Sequence, residues 1–165
     1  GEFIQSDDDF SVIGLDVSRL QRVTDNGSLY FRIAGQYTNE TLPSTEGFSL
    51  GGPRGVRAFI SGEGLADEGV IGTIEYRYNW NFENRFIESF QPFVFLDAGK
   101  TNFNDELAAE DSSQNHSDAG IGLKMALKGG YFVEVSFAHR LDESRDVETD
   151  EEAEKEIFFQ LVKWF

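Results

Sequence analysis

The strongest constraint on the fold is an alternation of apolar residues with polar or small residues along almost the whole chain. Successive side chains of a β-strand point to opposite faces, so this pattern indicates strands with one apolar and one polar face. It occurs in seven segments bounded by turn signals: 13–18, 29–37, 70–80, 93–99, 119–127, 131–140 and 157–165. The sequence therefore predicts an all-β, antiparallel chain of seven strands.

Alternation alone does not distinguish a soluble β-sandwich from a membrane β-barrel. Two further features favour the barrel. Most segments run about ten residues, which suits a tilted crossing of the bilayer, whereas strands of soluble sheets centre on about five or six. The connections also alternate in length, as in outer-membrane barrels: 24–27, 81–86 and 127–130 are short, and 40–69, 101–118 and 141–155 are long.

A transmembrane barrel gives each face a role. The apolar faces would contact lipid, with Trp80, Tyr131 and Phe165 in an interfacial girdle beside the short connections. The polar faces would line a wet interior, where a charged side chain costs little. The charged residues expected there are Glu75, Arg77, Lys124, Glu134 and Arg140.

The strand number bears on the domain organisation. Seven antiparallel strands leave two unpaired edges, whose N–H and C=O groups would find no hydrogen-bond partner in hydrocarbon. We therefore expect residues 1–165 to be the C-terminal part of one larger barrel domain.

Composition excludes several classes of function. The chain has 165 residues and no run of eighteen apolar residues, which excludes a helical membrane protein, and its start lacks the pattern of a secretory signal. A net charge of −16 argues against a nucleic-acid partner, because phosphates would be repelled. The absence of cysteine removes disulfides, thiolate chemistry and cysteine zinc sites.

The residues that could hold a metal or perform catalysis do not form a site. The segment 141–156 has nine acidic residues but lacks the spacing of a calcium loop, so we interpret it as a solvated external loop. His116 is expected in a polar loop and His139 on the outward face. Neither has the serine and aspartate partners that a hydrolase needs. We therefore expect no enzyme activity, no cofactor and no metal.

One segment interrupts the alternation. "FSLGGPRGVRAF", residues 48–59, lies within the long connection 40–69 and contains Gly51, Gly52 and Gly55, which permit backbone reversals and close approaches. With "GEGLADEGVIGTIEYRY" after it, the segment resembles the signature of two-partner secretion transporters, the TpsB branch of a superfamily that also contains outer-membrane protein insertases. The resemblance implies that this loop folds back into the barrel.

Two motifs carry the resemblance. The family has a VRG[YF]-type motif at the loop tip, which reads Val56-Arg57-Ala58-Phe59 here, with alanine in place of the commoner glycine. Its F-x-D-x-G strand motif reads Phe95-Leu96-Asp97-Ala98-Gly99. The alternation places Phe95, Asp97 and Gly99 on the inward face. By family analogy Arg57 pairs with Asp97 and holds the loop, as a guanidinium can bind a carboxylate bidentately. Glu75 either joins this pair or is an ordinary lumen charge.

The end of the chain extends the resemblance. "DAGIGLKMAL", "VEVSFAHRL" and "FFQLVKWF" are similar to the last three strands of TpsB barrels of about sixteen strands. In that family the terminal aromatic residue is the signal for the barrel assembly machinery. The terminal aromatic residue here is Phe165. The residues expected to form the assembly signal are Phe159, Leu161, Trp164 and Phe165.

The resemblance implies a function in the outer membrane of a Gram-negative bacterium. Such a transporter contacts outer-membrane lipid and exports one large exoprotein, an adhesin or a haemolysin, which it recognises through POTRA domains that we do not find in this sequence. The loop either plugs or shapes the pore. An insertase of the same superfamily, a passive porin and an outer-membrane hydrolase remain as alternatives.

Overall fold

The computed structural model describes residues 10–80, 85–104, 113–141 and 155–164. These residues form one seven-stranded antiparallel sheet, in which each strand pairs with the next along the chain. The predicted all-β antiparallel fold is confirmed. Within the described ranges no helix is both long enough and apolar enough to cross a membrane. The strands are β1 (Ile13–Arg22), β2 (Gly27–Tyr37), β3 (Glu68–Tyr78), β4 (Ile87–Asn102), β5 (Ser113–Leu127), β6 (Tyr131–Arg140) and β7 (Lys155–Lys163).

One face of the sheet is apolar and exposed. Val94, Ile121 and Phe159 are exposed by 52%, 61% and 67%, so these side chains do not meet in a common core. The strand register joins the apolar residues of this face, which are exposed except for the half-buried Leu29, into one row across six strands, because residues opposite each other share a face. The row is Leu29, Tyr76, Val94, Ile121, Phe137 and Ile157.

The other face is covered by the connection between β2 and β3, residues 38–67, here called the inner loop. The buried apolar cluster of the described chain consists of loop residues and inward residues of β4 and β6: Val56, Ala58, Phe59, Phe93, Phe95 and Ala138. The apolar core therefore lies between the loop and the sheet. The sequence analysis predicted a solvated interior. Where the loop covers the inner face, however, the side chains are buried.

The sequence gives the wrong boundary for the connection between β4 and β5. We expected a loop over 101–118, but β4 reaches Asn102 and β5 begins at Ser113. These polar strand ends pair through their main chains, from Asp97↔Asp118 to Asn102↔Ser113, and carry no apolar alternation that could reveal them. His116 therefore lies in β5, and the prediction that it lies in a polar loop is wrong.

The two edge strands differ from the inner ones. In the described chain β1 pairs only with β2, and β7 pairs only with β6. Every residue of β1 is exposed. Both edges therefore present unpaired main-chain groups, which a membrane-spanning sheet must pair with further strands.

Candidate functional site

The inner loop is held in shape by its own main chain. Phe48 and Ala66 form an antiparallel bridge, with the Phe48 N–H donating to the Ala66 carbonyl at 2.7 Å. Near the tip, the Val56 N–H donates to the Leu50 carbonyl at 2.8 Å, and the Gly55 N–H donates to the Gly52 carbonyl at 2.9 Å. The tip is therefore a compact turn that projects residues 56–59 onto the sheet.

The loop requires glycine at positions 51, 52 and 55 because of its backbone conformation and its close contacts. Gly52 has a φ of 112°, a conformation that other residues rarely adopt. A Cβ on Gly51 would overlap the Ile60 carbonyl oxygen, and one on Gly55 would overlap the Leu50 carbonyl oxygen. The chain can pass itself this closely only without side chains at these two positions.

Arg57 at the loop tip forms ion pairs with carboxylates of two adjacent strands. Its Nη2 lies 2.6 Å from Oε1 of Glu75 on β3, and its Nε lies 3.0 Å from Oδ2 of Asp97 on β4. The three side chains are exposed by only 8%, 4% and 0%. Charges removed from water to this degree persist only when they are paired, so these three groups depend on one another. We call Arg57, Glu75 and Asp97 the charge cluster.

Aromatic rings of β4 support the guanidinium. Its Cζ lies 3.8 Å from the ring centroid of Phe95 and 5.8 Å from that of Phe93, within the range of cation–π attraction. These rings occupy space left by glycines on β5: a Cβ on Gly120 would overlap the Phe95 ring, and one on Gly122 would overlap the Phe93 ring. The packing of β4 on β5 therefore fixes the surface on which Arg57 rests.

Glu75 also binds cations of the sheet. Arg77 Nη2 lies 2.6 Å from its Oε2, and Lys124 Nζ lies 3.5 Å from the same oxygen. Lys124 in turn lies 3.5 Å from Glu134 Oε1. Glu75 thus contacts three cations, which come from the loop, β3 and β5. Of the two roles that the sequence left open for Glu75, the structure places it in contact with Arg57.

A further carboxylate touches the loop tip. Asp118 of β5 is fully buried and lies opposite Asp97 in the strand register. Its Oδ2 accepts a hydrogen bond from the Ala58 N–H at 2.5 Å. Asp118 was not predicted as a site residue, because the apolar alternation of the fifth strand begins at residue 119. Asp118 is two residues before Gly120 and therefore shares the inward face of Gly120, Gly122 and Lys124. Had the strand been extended by one residue, Asp118 would have been predicted to point inward.

Gly99, the last residue of the strand motif, has a packing role. A Cβ there would come within 2.5 Å of a Leu50 methyl carbon. Leu50 is fully buried, so the glycine makes room for a loop side chain. Of the tip motif, Val56 and Phe59 are buried in the apolar cluster.

The terminal residues lie apart from the charge cluster. Phe159 and Leu161 are exposed by 67% and 57% on the apolar face. The Trp164 N–H donates to the Gly130 carbonyl at 2.8 Å, beside the short connection between β5 and β6. Phe165 lies outside the described residues, as does most of the acidic segment 141–156.

Two of the residues expected in the aromatic girdle lie within the described chain. Trp80 is exposed by 58%, and its ring meets that of Phe90 edge-on at 6.4 Å. Tyr131 is exposed by 37% at the start of β6. Among the described residues, no group of three or more histidine, aspartate or glutamate side chains is placed to hold a metal ion.

Comparison with known proteins identifies the family. A sequence model of the haemolysin secretion/activation protein family ShlB/FhaC/HecB matches residues 4–125. The chain belongs to this family.

Curated relatives agree with this assignment. The chain is 27% identical over 167 residues to the heme/hemopexin transporter protein HuxB of Haemophilus influenzae strain 86-028NP, covering 99% of the chain and 29% of the relative. It is 27% identical over 143 residues to HuxB of H. influenzae strain Rd, covering 86% of the chain and 25% of the relative. The chain thus spans less than a third of the length of these relatives.

Proposed function

We propose that the chain is the C-terminal part of the barrel of an outer-membrane transporter that exports a large exoprotein by two-partner secretion. Family membership supports a secretion role, and the HuxB relatives are named as transporter proteins. The single observation that carries the proposal is the buried charge cluster, by which a loop is held on the inner face of a sheet whose other face is apolar and exposed.

The exposed apolar row supports a position in a membrane. Its side chains cross six adjacent strands, and such a large exposed apolar surface would be a liability in water. The strands are 9 to 16 residues long, and about 9–11 residues suffice for a tilted crossing. Outer-membrane lipid is the environment that satisfies this face. Further strands, outside residues 1–165, would close the barrel at β1 and β7.

The charge cluster supports a role for the inner loop in the pore. Removing one partner of a buried ion pair costs roughly 3–5 kcal/mol, so Arg57, Glu75 and Asp97 would hold the loop firmly. Beside the cluster is an open cleft of about 360 Å³, whose lining includes Tyr30 and Lys124. An exported chain would pass beside the loop or displace it.

Two recognition steps also belong to the proposal. The terminal segment with Phe159, Leu161, Trp164 and Phe165 would be recognised by the barrel assembly machinery during insertion. POTRA domains elsewhere in the complete protein would recognise the exoprotein in the periplasm.

Deletion of the gene in its own bacterium tests the proposed function. We expect one large protein to disappear from the culture supernatant and to return when the full-length gene is supplied on a plasmid. Quantitative mass spectrometry of the supernatant and of the outer membrane measures both effects.

Other outcomes would contradict secretion. A general loss of β-barrel proteins from the outer membrane would indicate an insertase. An unchanged supernatant with slower uptake of small solutes would indicate a porin.

A further inference from the structure

Phe59, two residues beyond Arg57, contacts side chains of two other strands. The imidazole of His116 on β5 stacks on its ring, with centroids 4.0 Å apart and planes inclined by 22°. The guanidinium carbon of Arg140 on β6 lies 4.1 Å from the same ring centroid. Phe59 itself is exposed by only 2%. These contacts involve β5 and β6, whereas the carboxylates of the charge cluster are on β3 and β4.

The peptide groups of Ala58 are bound by the same strands. Its N–H donates to Asp118, and its carbonyl accepts a hydrogen bond from Arg140 Nε at 3.1 Å. Asp118 and Arg140 are register partners on β5 and β6. One cross-strand pair therefore satisfies both the donor and the acceptor of a fully buried residue, which would be costly to leave unpaired.

Arg140 makes a third contact with the loop. Its Nη2 lies 3.2 Å and 3.1 Å from the two carboxylate oxygens of Glu63, which is on the returning arm of the loop. The Arg140 side chain is exposed by 11%. A single guanidinium thus binds a carbonyl, a ring and a carboxylate of the loop. The planar guanidinium has five donors and can make all three contacts together. A lysine ammonium is a compact point charge without a planar face, so it cannot stack on the ring while it binds the carbonyl and the carboxylate.

We propose that His116, Asp118 and Arg140 form a second anchor for the inner loop on β5 and β6, adjoining the charge cluster where Asp118 lies opposite Asp97, and that Arg140 is its principal positioning residue. Displacing the loop tip then requires the release of both anchors. This inference concerns how the loop is held and does not depend on which molecule crosses the barrel.

Protease access to the loop tests the second anchor. Arg54 is exposed at the tip, and trypsin added to intact cells would cut after it in the full-length protein only when the loop leaves the interior. Rates are compared at equal amounts of folded barrel, judged by heat-modifiable migration on gels. Arg19→Ala on the edge strand β1, where the side chain is exposed, is the matched arginine control.

We expect Arg140→Ala to increase cleavage after Arg54 by at least about thirtyfold, which corresponds to the loss of a charged hydrogen bond and a cation–π contact. Arg140→Lys should increase it nearly as much, because lysine cannot make the three contacts together. Arg19→Ala should leave the rate unchanged. An Arg140→Ala rate equal to that of the wild type would overturn the proposal.

A double variant tests whether Arg140 holds the loop independently of Arg57. In Arg57→Ala/Arg140→Ala the increase in cleavage should approach the product of the two single increases. A double variant no faster than Arg57→Ala alone would show that Arg140 is not an independent anchor.

Phe59→Leu provides a second variant that leaves β6 unchanged, should Arg140→Ala fail to assemble. It should also increase cleavage, because its ring contacts His116 and Arg140, and a rate equal to that of the wild type would overturn the proposal. Where Arg140→Ala assembles, adding it to Phe59→Leu should give less than the product of the two single increases, because the two residues share a contact. Fully multiplicative effects of Phe59 and Arg140 would overturn their assignment to one anchor.

Discussion

Arg57 of the inner loop and Asp97 of β4 are 40 positions apart in the sequence, yet Arg57 Nε lies 3.0 Å from Asp97 Oδ2 in an almost completely buried contact. Glu75 of β3 completes the contact on the other side of the guanidinium. A loop residue is thereby tied to the two strands that follow it in the chain.

Substitutions of Arg57 and Asp97 should be coupled. We expect Arg57→Ala and Asp97→Ala each to impair secretion by the full-length protein to a similar extent, since each leaves a buried charge short of a partner at a cost of roughly 3–5 kcal/mol. The double variant should be less defective than the sum, which a double-mutant cycle of secretion measures. Additive losses would contradict direct contact in the functional protein.

Glu75→Gln should be more harmful than Glu134→Gln. The first change removes the negative charge that faces Arg57, Arg77 and Lys124. The second affects a residue exposed by 28% whose ion pair with Lys124 is 3.5 Å long, and exposed pairs contribute about 1 kcal/mol or less. Secretion and heat-modifiable folding should both decline further in Glu75→Gln. Equal behaviour of the two variants would show that Glu75 does not organise these cations.

Gly120→Ala should disturb the loop although it lies on β5. The added methyl group would overlap the Phe95 ring under Arg57 and the Phe137 carbonyl oxygen, and overpacking of this kind costs about 1–3 kcal/mol. The thermal unfolding temperature of the purified full-length barrel should fall. Gly72→Ala on β3 is the control, because its nearest neighbour would be the Ala98 carbonyl oxygen at 4.0 Å. A similar temperature for both variants would contradict the packing described for Phe95.

Removal of Phe165 should reduce insertion of the full-length barrel without reducing its synthesis, because the terminal aromatic residue is expected to be the assembly signal. Immunoblots of the outer membrane and of whole cells measure the two quantities. Normal levels in the outer membrane would contradict that role. Phe159→Ala would then show whether the exposed apolar face of β7 carries the signal instead.

The sequence predicts the sheet well because each strand has one apolar face and one polar face. The alternation alone places Phe95, Asp97 and Gly99 on one face, and the structure has Phe95 and Asp97 buried there. The all-β fold and the family follow from the same residues.

The sequence is least informative where strands extend beyond their apolar residues. The ends of β4 and β5 pair by main-chain hydrogen bonds with polar side chains on both faces, so periodicity cannot detect them. For this reason Asp118 and His116 were not expected at the loop tip. The contacts of Arg140 with Ala58, Phe59 and Glu63 could not be predicted from the sequence either, because they depend on where the loop folds in three dimensions.

The loop tip has a mechanical consequence for the wall on which it rests. Its contacts reach Glu75, Asp97, Asp118 and Arg140, which belong to four consecutive strands, so these strands are cross-braced by a single short turn. Any shear or widening of the wall is resisted there. On the β1 side the bracing continues, because Arg32 of β2 donates to the Arg54 carbonyl of the tip and pairs with Asp16 of β1. Among the described residues, the contacts of the tip end at β6, so β7 is the least braced strand.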